Sequence, residues 1–284
     1  MPLLAIALLF LSASLHTLWN LLLKKSRQKF IASWWIVVIG AAMFMPGLFL
    51  TGLPPREVWH FALLSAGLEA AYMLTLSLAY KNSDFSLVYP MARGTAPAFL
   101  LLWSLLFLNE KLTGWGLVGL ILIISGLLLT GTSSLIQNWT NLPNIKGILA
   151  ALATAFFISV YTFVDGIAVK RGPALPYGLL MFTLIPVWST PFVLRNYGWS
   201  QMLGEWKLQP GRFLIAGFLG VLAYLIALYA YSFAPISYSG AIREISVVLG
   251  ALAGWRFLGE KLGSVRVIGA FIIFSGILMI ALLG

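Results

Sequence analysis

The sequence predicts an all-α integral membrane protein, a bundle of ten transmembrane helices built from two inverted five-helix repeats. Three observations predict it. The 284 residues are 61% hydrophobic and only 9% charged, where a soluble domain carries roughly 45–50% apolar and about 25% charged residues, so most of the surface must face lipid. The apolar residues run continuously, as in 117–129 and 268–283, whereas the strands of a membrane barrel alternate apolar and polar positions. The second half of the chain also repeats charged and turn residues of the first.

A helix needs about 20 apolar residues to cross a hydrocarbon core near 30 Å thick. Ten such segments follow one another, over approximately 2–23, 30–51, 61–80, 85–108, 115–134, 147–169, 177–195, 211–232, 236–258 and 265–283. Turn residues and charge separate them: Lys24-Lys25-Ser26-Arg27, Leu53-Pro54-Pro55-Arg56, Asn109-Glu110-Lys111, Lys170-Arg171-Gly172-Pro173 and Gly259-Glu260-Lys261. The first segment reads as an uncleaved span rather than a signal peptide. No basic residue precedes it, and apolar character resumes after Ser12-Ala13-Ser14. The break 135–146 is polar (Gln137, Asn138, Asn141, Asn144) and joins the repeats 1–134 and 147–284.

The repeat rests on residues that chance rarely aligns in so apolar a chain. A shift of 150 places Phe107-Leu108 on Phe257-Leu258 and Glu110-Lys111-Leu112 on Glu260-Lys261-Leu262. The same shift places Gly119 on Gly269, Ser125-Gly126 on Ser275-Gly276, and Arg93 on Arg243. A shift of 145 places Pro46 on Pro191, Thr17 on Thr162 and Asn20 on Asp165. Five is an odd number of helices, so the second repeat enters the membrane from the opposite side. Inverted repeats of this kind recur in secondary transporters, with the substrate site near the midplane at the repeat interface.

Loops on one face, with their helix ends, hold Lys24, Lys25, Arg27, Lys29, Lys81, Lys146, Arg195, Lys207, Arg212, Arg256, Lys261 and Arg266; the other face holds Arg56, Lys111, Lys170 and Arg171. The positive-inside rule puts the first set in the cytoplasm and both termini outside a cell (inner) membrane. The Asn138-Trp139-Thr140 glycosylation pattern then falls on the cytoplasmic side and is discounted. The net charge of +10 comes from cations standing mostly singly between apolar runs, unlike the basic stripe of a nucleic-acid binder. Cysteine is absent and the only histidines are His16 and His60, so neither a disulfide framework nor a Cys or His-rich metal site is expected. No phosphate loop, dinucleotide fingerprint or Ser/His/Asp series stands out. The reading is of a protein that is not an enzyme and needs no cofactor.

The doubled segments Leu108-Asn109-Glu110-Lys111-Leu112, followed by Gly119 and Ser125-Gly126, and Leu258-Gly259-Glu260-Lys261-Leu262, followed by Gly269 and Ser275-Gly276, resemble the drug/metabolite transporter superfamily, specifically its EamA-type ten-helix members. His16-Thr17-Leu18-Trp19-Asn20 and Pro90-Met91-Ala92-Arg93-Gly94-Thr95-Ala96-Pro97 are similar to segments of the same group. Asn109 departs from the Gly usual there, and Asn also tolerates a helix-ending backbone. The resemblance implies a central cavity lined by spans 1, 3, 4, 6, 8 and 9, with spans 5 and 10 to the side. It implies export of amino acids or drugs, or movement of sugars, nucleotide-sugars, phosphorylated metabolites or choline-like cations.

An ionisable group inside a span costs roughly 2.5–3.5 kcal/mol on insertion scales and normally faces the bundle interior with a partner. Glu69 reads either as a structural partner of Arg93 or as a protonatable coupling site. Arg93 and Arg243 either tie helices together or act as gates or ligands for a carboxylate or phosphate, placed by inversion toward opposite ends of one cavity. Glu244, adjacent to Arg243, is expected to point elsewhere, because neighbours on a helix do not share a face. Asp165 reads as a helix-end residue near Lys170 and Arg171, and His16 as a hydrogen-bonded interior histidine, with proton coupling its functional alternative. Trp19, Tyr72, Tyr89, Tyr161 and Tyr238, with Tyr224 and Tyr231, fall on the presumed cavity helices and offer apolar faces with a polar handle. Pro90, Gly94 and Pro97 mark a hinge or a static kink.

These charges nearly cancel, which favours a zwitterionic or polar organic solute. The best reading is a secondary transporter exporting an amino acid or related metabolite by alternating access, with membrane lipid around it and a proton or counter-substrate as coupling partner. The alternatives are an importer or exchanger of choline-like cations or phosphorylated sugars, and a non-transporting membrane assembly or lipid-processing protein.

Overall fold

A computed structural model describes residues 1–82, 85–108, 110–137, 145–258 and 263–284, with all their side chains except those of 80–82, 85–91, 131–137, 254, 257, 258 and 266. Tyr89, Lys81, Glu260, Lys261, Arg266 and the glycosylation pattern at 138–140 therefore lie outside the described residues or side chains. The described chain is helical throughout: α1 (Leu3–Lys24), α2 (Lys29–Phe44), α3 (Gly47–Thr51), α4 (Trp59–Asn82), α5 (Phe85–Phe107), α6 (Gly114–Gln137), α7 (Ile145–Arg171), α8 (Ala174–Leu208), α9 (Pro210–Tyr231), α10 (Ile236–Arg243), α11 (Ile245–Leu258) and α12 (Ser264–Leu283), with a short 3₁₀ turn at Arg56–Val58 before α4. Among the described residues, seven stretches are long and apolar enough to cross a membrane, and three shorter apolar helices accompany them, Ala92–Phe107, Gly114–Thr130 and Val267–Leu283. Large apolar side chains such as Phe49, Leu50, Phe271 and Leu282 are exposed around the bundle, as a lipid-facing surface requires.

Three interruptions shape the helices, each with its own cause. Pro46 ends α2 by withholding an N–H from the ladder. Gly198, at φ 69°, bends α8 so that 199–208, beyond the expected span 177–195, turns aside from the preceding helix. The third break falls at Glu244, between α10 and α11, where the amide donates to Ala241 O (3.1 Å) and the carbonyl accepts from Val247 N (2.9 Å) in tightened turns. The expected continuous span over 236–258 is thus two helices meeting inside the protein.

The core alternates α1 against α9, α4 against α7, α2 against α8 and α9, and α5 against α7 and α6. Small residues set the close approaches, because lipid gives no hydrophobic drive for helices to associate and packing must supply it. On α1 the buried stripe is Ala5, Leu9, Ser12, Ala13 and Thr17, and Ser12 and Thr17 spend their hydroxyls on carbonyls of Ala223 and Ser246. The closest crossing joins α6 and α12. A Cβ added at Gly276 would lie 2.5 Å from Gly119 O, and one at Gly126 would lie 2.8 Å from Gly269 O.

Overpacking at such a crossing costs about 1–3 kcal/mol. Gly119→Val and Gly276→Val should each lower the thermal unfolding temperature of the purified protein, while Gly114→Ala, where nothing lies within 4 Å of an added Cβ, should leave it unchanged. Equal melting temperatures for all three variants would contradict this account of the α6–α12 contact.

Candidate functional site

The break at Glu244 builds the centre of the bundle. In an unbroken helix, Arg243 and Glu244 would diverge. Residues 236–246 are all buried and both side chains line the same space, so the expectation that Glu244 points elsewhere is corrected. Glu244 Oε2 lies 2.9 Å from Arg93 Nε on α5, and Arg93 also donates to Ser246 Oγ at 3.0 Å. Arg93, Arg243 and Glu244 are 6, 7 and 5% exposed. Arg93 therefore pairs with Glu244, and Glu69 is not its partner.

Arg243 has a different environment. Its Nη1 donates to Tyr231 Oη at 3.2 Å, and its guanidinium carbon sits 4.6 Å from the centroid of Tyr224. A desolvated contact of that kind is worth about 2 kcal/mol. Its Nε is buried with no hydrogen-bond partner among the described residues. Both arginines line one space.

Asp165 is fully buried, not a helix-end residue associated with Lys170 and Arg171. Tyr177 on α8 donates to its Oδ1 at 2.6 Å, and Tyr224 on α9 donates to its Oδ2. Tyr224 thereby joins the carboxylate to Arg243, offering its hydroxyl to one and its face to the other. Tyr161 on α7 stands 6.2 Å from Tyr224 and 6.1 Å from Tyr72 on α4, centroid to centroid, and Phe182 closes on Tyr224 at 5.7 Å. Glu69, one turn before Tyr72, is partly buried. It lies within electrostatic reach of Asp165, Arg243 and Arg93.

Arg93, Tyr161, Tyr231, Arg243 and Glu244, with apolar neighbours on α5 and α7, enclose a space with about 20 Å³ open to the centre of a water molecule. That admits about one water.

Other expected site residues lie elsewhere. Trp19 donates to His16 Nδ1 at 3.2 Å within α1 and packs toward Gly220 of α9 and the α2–α9 core. His16 is thus a hydrogen-bonded interior histidine, within reach of both arginines. Tyr238 accepts from Thr113 N at 3.2 Å, at the start of α6, so it braces a helix end and is absent from the lining of the central space. Helical position alone did not reveal which face these residues use.

Two glutamates gain roles the sequence reading did not assign. Glu110 Oε1 accepts from Ile236 N at 2.6 Å, and its Oε2 accepts from Ser237 N at 3.2 Å and Ser237 Oγ at 2.5 Å. It caps α10, which has no local side-chain cap; its signal was the doubled Glu-Lys-Leu motif. Lys170 lies 3.8 Å from the same carboxylate. Glu205, on the bent end of α8, accepts from the amides of Arg27 and Gln28 ahead of α2. Carboxylates at helix N-termini satisfy orphan N–H groups and match the helix dipole. Among the described residues, no group of three or more His, Asp or Glu could hold a metal ion.

The model of the EamA-like transporter family matches this chain twice, over residues 3–132 and 145–282. A solved crystal structure, 17% identical, aligns over 98% of this chain and 96% of its own with a TM-score of 0.74; at that identity the likeness speaks to fold alone. No curated protein matches the chain significantly. The family is one of membrane transporters rather than enzymes. A multi-pass helical membrane protein with nearly its whole length under that model, this chain belongs to the EamA-like transporter family of the drug/metabolite transporter superfamily, whose members move small molecules across membranes.

Proposed function

We propose that the chain is a secondary transporter that exports an amino acid or related metabolite by alternating access, with its substrate site at the centre around Arg93, Arg243, Tyr161 and Glu69. The observation that carries this reading is the convergence there of two arginines, the carboxylate of Glu244 and two tyrosines, Tyr161 and Tyr231, from helices of both halves of the chain. Polar groups of that density inside a membrane bundle mark solute or proton pathways.

Inverted repeats over 1–134 and 147–284, joined by 135–146, give the centre its two exits. Counting α2 with α3, and α10 with α11, as single passes makes ten. What supports the repeat is exchange symmetry in the packing. The contact of α1 with α9 is matched by that of α4 with α7, and α5 on α7 by α10 and α11 on α1. The Gly119–Gly276 contact becomes the Gly269–Gly126 contact when the halves are swapped. A two-fold axis in the membrane plane relates such pairs, and rocking about it alternates access. The basic loops orient both termini outside the inner membrane. Glu69 is the coupling site, free to exchange a proton because no ion pair holds it among the described residues.

Purified protein in proteoliposomes should move radiolabelled amino acids unchanged down an imposed pH gradient; chemical alteration of the solute without flux would point to an enzyme instead. Glu69→Gln should abolish gradient-driven uptake and leave counterflow exchange measurable. Retention of normal pH dependence by that variant would return Glu69 to a packing role.

The Arg93–Glu244 pair ties the halves together. Removing one member of a buried pair leaves the other charge uncompensated, at about 3–5 kcal/mol. Glu244→Gln should therefore destabilise the folded protein by roughly that amount, and Arg93→Met with Glu244→Leu should recover most of the loss. Denaturation of the single and double variants in detergent measures both, and a double variant as unstable as the single one would refute the pairing as the cause.

A further inference from the structure

The charges at the centre are not equivalent. Arg93 has a carboxylate at 2.9 Å and a hydroxyl at 3.0 Å. Asp165 accepts from two tyrosines. What remains, among the described residues, is Arg243 without an ion pair and Glu69 with neither an ion pair nor a hydrogen bond. Arg243 meets the Tyr231 hydroxyl and the Tyr224 face, and its buried Nε has no hydrogen-bond partner among the described residues. Glu69 makes neither a hydrogen bond nor an ion pair with any described residue, yet lies within electrostatic reach of Arg243. Tyr161 is within electrostatic reach of both. It is 4% exposed, lines the central space, and its hydroxyl makes no hydrogen bond among the described residues.

We propose that Arg243 and Glu69 are the two poles of a site for a zwitterion, the guanidinium taking the solute's carboxylate and Glu69 taking its ammonium, with Tyr72, Tyr161 and Tyr224 walling the interval. The inference rests on the transporter reading above and goes further by dividing the arginines: Arg93 is neutralised within the protein, and Arg243 is left for the solute. The physical reason is compensation. Two opposite charges without partners in a poorly hydrated interior are each costly. A solute carrying both charges relieves both at once. A solute carrying one leaves the other pole unpaired, which is how a site built to bind a polar group rejects an analogue lacking it. The planar guanidinium fork suits a carboxylate, and the aromatic faces favour an ammonium passing between them. The apolar stretch of the solute meets rings rather than more charge, so its side chain is less constrained than its two poles.

The test is a binding screen of the full-length purified protein by thermal shift and calorimetry. It uses the common α-amino acids, the amines that lack their carboxylates, and the acids that lack their amino groups. At least one amino acid should bind, and loss of either pole should weaken binding by about tenfold or more. In Arg243→Gln the preference for the amino acid over its amine should collapse, and in Glu69→Gln the preference over its acid should collapse. Amines or acids that bind as tightly as the parent, or failure of every amino acid to bind, would overturn the assignment, and wild-type protein alone decides this if a variant misfolds. Flux of a singly charged solute in liposomes would leave the transporter reading standing and sink the two-pole site. The absence of any solute flux would sink the reading beneath it.

Discussion

Lipid offers no hydrogen bonds, so every charge that this bundle carries inward must be answered from within the bundle. The Arg93–Glu244 pair is the main answer. It reaches from α5 in the first half of the chain to the α10–α11 junction in the second. Around it, Ser246 gives its hydroxyl to Arg93 and its carbonyl to Thr17 of α1. Three helices are thus fixed by one ion pair and its immediate neighbours.

Much of the fold was legible because the bilayer constrains it so strongly. Continuous apolar runs of the right length become helices, and matched glycines at constant shift become the α6–α12 crossing. What escaped were features fixed by tertiary contact. Pro46 announces the end of α2, but nothing around Glu244 resembles a helix breaker, so the rule that adjacent residues diverge was applied to a helix that does not continue. Asp165 stands near Lys170 and Arg171 in sequence, and only the packing of α8 and α9 brings Tyr177 and Tyr224 to it. Trp19 and Tyr238 were placed on the right helices, and their faces were not readable from helical position alone. Arg93, Arg243 and Tyr161 line one space, because charge and aromatic polarity inside a span have few other places to go.

The tyrosine ring array links the two kinds of polar group without adding charge. Tyr224 serves Asp165 through its hydroxyl and Arg243 through its face, so neither group can move without disturbing the other. Such a shared side chain couples α7, α9 and α10 mechanically, and α4 joins through the ring contact of Tyr72 with Tyr161.

The cap that Glu110 places on α10 has a consequence for biosynthesis. The carboxylate and the amides it receives are 126 residues apart, and synthesis runs at about 5–20 residues per second, so Glu110 precedes its partners by roughly 6–25 seconds. When Ile236 and Ser237 emerge, the acceptor for their amides is waiting. The earlier half therefore acts as a template on which the later one is completed, and α10, with no cap of its own, gains its proper start only by finding it.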